Sequence, residues 1–181
     1  NDPLGVELTN QLTRMGTDIK ISLRTGIVGA LNSGSDRLRV KFPAETHIPG
    51  FISGQYIRIN TVDNFATSVS VLNPSISDKT VAFEIPYGLT IGNNATVFIY
   101  FQQGGGIVNP SVPGNYQLFV SSTKEPTEVA SLHYTIEGIS ISRPTVAPLP
   151  TLAGAEKTQY TIKFMTGAYG SLNIGDTINF V

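Results

Sequence analysis

The chain has 181 residues, with 12 lysines and arginines against 13 aspartates and glutamates and neither cysteine nor tryptophan. That length holds one sizeable domain and crowds two; the balanced charge carries no polyanion-binding signature, and the lack of cysteine excludes disulfides, thiolate nucleophiles and cysteine-ligated zinc. No apolar run is long enough for a membrane span or a signal segment, and the start at Asn1-Asp2-Pro3 reads as a processed product or an excised piece.

Isoleucine, valine and threonine are plentiful, 18 glycines and 11 prolines punctuate the chain, and no stretch keeps the three-and-four spacing of a helix. The expectation is an all-β protein. Residues 6–9 read as a first edge strand. Ile19, Ile21 and Leu23 then alternate with Lys20, Ser22 and Arg24, and Leu38, Val40 and Phe42 with Arg37, Arg39 and Lys41, the pattern of strands buried on one face. These two are read as one hairpin joined by the Gly- and Asn-rich residues 25–35. Further strands are predicted at 56–59, 68–72, 80–85, 96–101, 116–120 and 132–136. The turn signals between them are Asn73-Pro74, Gly92-Asn93-Asn94, Gly104-Gly105-Gly106, read as a flexible turn, and Pro113-Gly114-Asn115. Seven or more short strands at this spacing predict a two-sheet β-sandwich over residues 1–137.

Residues 158–176 repeat residues 17–36. Thr17, Ile21, Thr25, Gly26, Gly29, Leu31, Asn32 and Gly34 recur as Thr158, Ile162, Thr166, Gly167, Gly170, Leu172, Asn173 and Gly175, and after a one-residue slip Asp36 recurs as Asp176. Such self-similarity marks a repeat architecture. Residues 139–142 are matched to the first edge strand, so residues 138–157 are expected to hold that strand and a connector. Pro144, Pro148 and Pro150 make the connector extended, semi-rigid and poor in ladder donors.

Residues 158–181 are expected to form an orphan β-hairpin, a partial second repeat with Tyr160, Ile162, Phe164, Ile178 and Phe180 on one apolar face. A lone two-stranded hairpin is marginal in water, so this tail needs a partner sheet, in its own domain or in a neighbouring subunit by strand addition at an exposed edge.

The stretches 31–43 and 108–129 and the closing Gly175-Asp176-Thr177-Ile178-Asn179-Phe180 resemble repeats of bacterial S-layer and other cell-surface proteins, especially those of thermophilic Gram-positive bacteria. The resemblance spans nearly the whole chain and implies an extracellular, Ig-like structural module without catalytic residues.

Enzyme chemistry is not visible. His47 beside Pro49 and His133 in a predicted strand have no metal-ligand spacing, and there is no nucleophile elbow, P-loop or calcium loop. Asp36 and Asp176, at equivalent turns, are candidate ligands for an interface calcium, against an ordinary role in capping their turns. Asn94-Ala95-Thr96 is a formal glycan acceptor. Lys20, Arg24, Arg37, Arg39 and Lys41 are expected on the solvent face of the first hairpin, as edge protection or as a contact for an anionic surface polysaccharide.

The functional expectation is an extracellular structural subunit, not an enzyme, binding no nucleic acid and inserting in no membrane. It assembles head-to-tail into a filament, tube or surface lattice by docking its C-terminal β segment into a neighbour, with Tyr160, Ile162, Phe164, Ile178 and Phe180 as knobs and no required cofactor. The alternative is a cell-surface adhesin or glycan-binding module using Tyr87, Tyr100 or the basic hairpin.

Overall fold

A computed structural model describes residues 4–138, 144–166, 175 and 177–179. The chain divides into two compact units, Asn1–Glu137 and Gly138–Val181.

The first unit is built from two five-stranded antiparallel sheets. One runs β1 (Gly5–Leu8), β2 (Ile19–Arg24), β8 (Thr96–Phe101), β4 (Ile57–Asn60) and β5 (Val69–Ser70); the other runs β11 (Val129–Ala130), β10 (Phe119–Ser122), β3 (Arg37–Lys41), β7 (Thr80–Glu84) and β6 (Leu72–Ser77). A small ribbon pairs β12 (Tyr134–Ile136) with β9 (Gly114–Tyr116). The period-two alternation read in the sequence sends Ile19, Ile21, Ile57, Ile59, Val97 and Ile99 from the first sheet into the same buried cluster as Leu38, Val40, Val81, Phe83 and Val120 from the second. Phe101 closes the two layers, lying edge-on to Phe42 at 5.3 Å and to Phe83 at 6.5 Å between ring centroids. The fold is therefore an all-β sandwich, the class the sequence pattern predicts.

Several local expectations are corrected. β2 and β3 are not a hairpin: they lie in opposite sheets, and residues 25–36 form an arch between them, because each strand's apolar face is satisfied by the other across the core rather than side by side. Asn73-Pro74 is not a turn but sits inside β6, where the register with β7 shifts between Leu72 and Ser75; a proline is tolerated at such a bulge on an edge strand. The chain reverses instead at Asp78-Lys79, whose φ values of 50° and 64° suit a tight turn with both central residues left-handed. The predicted strand 116–120 breaks between β9 and β10, which belong to different sheets. Gly104-Gly105-Gly106 is part of a packed 3-10 turn, with Gly105 buried against Ile52 and Tyr56.

The first unit has a direction. β1 runs antiparallel to β2, Leu4 bridges Ser131, and Leu12 bridges Glu137 in parallel. Leu4 thus lies where β2 ends and Glu137 beyond where β2 begins, so the chain enters the sandwich at one end and leaves it at the other. Loops at the first end expose Ile27, Val28 and Tyr87; the loop before β4, at the second end, exposes Phe51.

In the second unit β13 (Thr145–Leu149) pairs antiparallel with β14 (Gln159–Lys163). The segment expected to be a connector without ladder donors is therefore largely a strand. Pro148 faces Tyr160 within it, and a two-stranded ribbon accommodates proline because each strand has an edge that donates to nothing. Among the described residues β14 pairs with β13 and not with residues 177–179; residues 167–174, 176, 180 and 181 of the hairpin expected over 158–181 lie outside those described. Val146 stands opposite Ile162 as Val6 stands opposite Ile21, the residue that Ile162 repeats. The edge strand matched to residues 139–142 falls on residues outside those described.

Candidate assembly site

The ribbon β13–β14 carries apolar side chains that its own strands do not cover. Val146 is 56% exposed, Leu149 70% and Tyr160 63%, while Ile162 and Phe164 are half-buried. Ile178 is exposed, and Phe180 lies outside the described residues. Of the five predicted knobs, the structure thus brings Tyr160 and Ile162 onto one short strand with Phe164 immediately after it, and places Ile178 apart from that strand's pairing.

The arch between β2 and β3 is bonded to the rest of the first unit at several points. The Thr25 hydroxyl donates to the Gly92 carbonyl at 2.8 Å and accepts from the Ala95 N–H at 2.9 Å. Leu31, nearly fully buried, bridges Ile91. Gly26 donates its N–H to the Glu125 carboxylate at 3.2 Å, and Gly34, at φ 72°, donates to the Ile85 carbonyl at 2.7 Å beside the Tyr87 ring. A left-handed residue in contact with a ring is a position only glycine fills without strain. Below the arch, between the lateral edges of the two sheets, lies a cavity of about 340 Å³ whose lining includes Leu4, Leu23, Leu31, Leu38, Val120 and Val129.

Asp36 anchors the foot of the arch. Its carboxylate accepts from the Asn32 N–H at 2.7 Å and the Thr123 hydroxyl at 2.6 Å, with the Lys124 ammonium 3.7 Å away. The Thr123 and Asn32 bonds hold its carboxyl below the usual 3.8. These are the bonds of a turn cap, and among the described residues no group of three or more His, Cys, Asp or Glu could hold a metal ion; Asp176 lies outside those residues. A group whose pKa is depressed on folding adds stability that is fully present above its unfolded value and is lost as pH falls through the folded one. Asp36→Asn should therefore cost about 1–3 kcal/mol at neutral pH, the range for orphaning a buried donor. In thermal melts the gap between variant and parent should narrow as pH drops below about 4; a gap independent of pH would contradict this role.

The other candidates separate. Lys20 and Arg24 lie on one sheet and Arg37, Arg39 and Lys41 on the other, so the basic hairpin face does not exist. Lys20 is engaged by Asp63 at 2.9 Å and Glu7 at 3.1 Å, Arg37 by Glu84 at 3.1 Å, and Lys41 by Glu128 at 3.3 Å. Tyr100 is not an exposed platform for a sugar: Phe65 packs edge-on against it at 5.5 Å, and its hydroxyl donates to Asp63 at 3.0 Å. Burial, with the Asp63 carboxylate second, pushes that hydroxyl up to about 12. Tyr87 and Asn94 are exposed on loops at the arch end. His47 makes a backbone bridge to Val108, and His133 is exposed. Sequence reasoning missed Glu125, Thr123 and Tyr87 as partners of the arch, because nothing in strand periodicity relates positions so far apart in the chain. The signal that was present is the identity of the repeated residues, mostly Thr, Gly, Asn and Asp rather than the alternating apolar set.

No protein-family model matches the chain, and no curated protein matches it.

Proposed function

We propose that the chain is an extracellular structural subunit, an Ig-like module that assembles head-to-tail into a filament, tube or lattice through its C-terminal β segment. The observation that carries this reading is the ribbon β13–β14, which leaves Val146, Leu149 and Tyr160 more than half exposed. Two strands alone do not hold themselves together in water, and burying such side chains is worth about 1.5–3 kcal/mol each before ordering entropy is subtracted. The first unit adds a direction: the chain enters at the end with Ile27, Val28 and Tyr87 exposed and leaves at the end with Phe51 exposed. A contact that joins one end of a subunit to the other end of the next is heterologous, and where its rotation does not close it propagates a fibre. The reading rests on burial and chain direction and needs no catalytic group.

Sedimentation velocity over a concentration series tests it. The full chain should pass from a monomer of 19.4 kDa to species that grow with concentration. A single monomeric boundary throughout would rule out assembly.

A further inference from the structure

The ring that covers Tyr100 is itself open to solvent. Phe65 is 45% exposed and walls a groove of about 380 Å³ whose lining includes Glu7, Asp18, Lys20, Tyr100 and Gln102. The alternation that turns Ile19, Ile99 and Phe101 into the core turns Lys20 and Tyr100 outward, so the groove lies on the outer face of the first sheet. There Glu7, Lys20, Tyr100 and Arg58 stand opposite one another in a single row across β1, β2, β8 and β4. Phe65 is fixed where it stands. It opens a 3-10 turn, Phe65–Thr67, which the Asn64 side chain caps by accepting from the Ala66 N–H at 3.0 Å, and the Ser68 hydroxyl donates to the Phe65 carbonyl at 2.6 Å. Its ring meets Tyr100 edge-on, and the Arg58 guanidinium lies over it at 5.5 Å from the centroid.

The polar side of the groove is ordered but only partly used. Lys20 holds one oxygen of Glu7 and one of Asp63, and Asp18 accepts from the Gln103 N–H at 2.7 Å through one carboxylate oxygen. The second oxygens of Glu7 and Asp18 accept no hydrogen bond among the described residues, and the half-buried Gln102 side chain makes none. A carboxylate offers acceptors alone, whereas an amide offers a donor and an acceptor, so the complementary ligand carries several hydroxyl donors together with an apolar face for Phe65. Cations and carboxylates alternate along the row, so the groove presents no field of one sign that would select an ion. We propose that this groove binds a neutral sugar unit of a polysaccharide, its C–H face against Phe65 and its hydroxyls on Gln102, Asp18 and Glu7. The volume is that of a small-ligand site. The proposal does not rest on the assembly reading, and a chain that stays monomeric leaves it standing.

The full chain, applied to a printed array of neutral, amine-bearing and acidic oligosaccharides, should bind neutral ones in preference. Titration with the best neutral oligosaccharide then locates the site. Phe65→Ala, which removes the wall, should weaken binding by about tenfold. Gln102→Ala should weaken it as well and leave the thermal melt unchanged, because that side chain makes no hydrogen bond within the described residues. Should Phe65→Ala fail to fold, the Gln102→Ala arm decides alone. No binding anywhere on the array overturns the proposal. Preference for acidic or amine-bearing sugars overturns the ligand class, and neutral sugars bound by Gln102→Ala as tightly as by the parent overturn the site.

Discussion

Phe101→Ala should lower the stability of the first unit by about 3–5 kcal/mol, the range for removing a buried aromatic side chain. Phe101 is 2% exposed and comes from the last position of β8, the strand that pairs with both β2 and β4. Its ring meets Phe42 and Phe83, which belong to the opposite side of the core. Truncation therefore opens a void between the sheets rather than at a margin, and the flanking rings cannot follow the backbone inward because each is fixed by its own strand. A domain of this size has only about 5–15 kcal/mol of total stability to lose. Equilibrium denaturation of the variant, with the midpoint falling at an unchanged slope, is the measurement; a loss under 1 kcal/mol would show that the layers are not joined there.

Removing residues 139–181 should abolish assembly and leave the sandwich folded. The core cluster is drawn from residues Leu4 to Val120, and Ile136 closes the last strand of the first unit; none of these residues lies beyond Glu137. The truncated chain should keep the cooperative melt of the parent because it keeps every one of those contacts. It loses the ribbon whose exposed Val146, Leu149 and Tyr160 supply the drive to associate. Loss of assembly together with loss of the melt would mean that the tail stabilises the sandwich, which is a different role.

The all-β class and the inward faces of β2, β3, β4, β7 and β8 were legible because period-two alternation is local and each of those strands is buried on one side. Pairing was not. Ile19–Leu23 and Leu38–Phe42 carry the same pattern whether they lie side by side or face each other, so the arch was misread as a hairpin. Asp78-Lys79 gave no turn signal because left-handed turns are expected at Asn-Gly or Asp-Gly, and Pro148 masked a strand because proline reads as a break. For the site, the alternation of Tyr160, Ile162 and Phe164 could be read from the sequence, though of the three only Tyr160 is more than half exposed. The partners of the arch could not, since Thr25 and Gly92, Gly26 and Glu125, and Leu31 and Ile91 meet only once the fold exists. The repeat did record the arch, in the choice of Thr, Gly and Asp at fixed positions.

Negative-stain electron microscopy of the full chain beside the chain ending at Glu137, at matched concentration, tests the central claim most directly. Regular filaments, tubes or lattices from the full chain and dispersed particles from the shorter one are the predicted result. Dispersed particles from both, or the same ordered assemblies from both, would contradict a subunit that joins its neighbours through its C-terminal β segment.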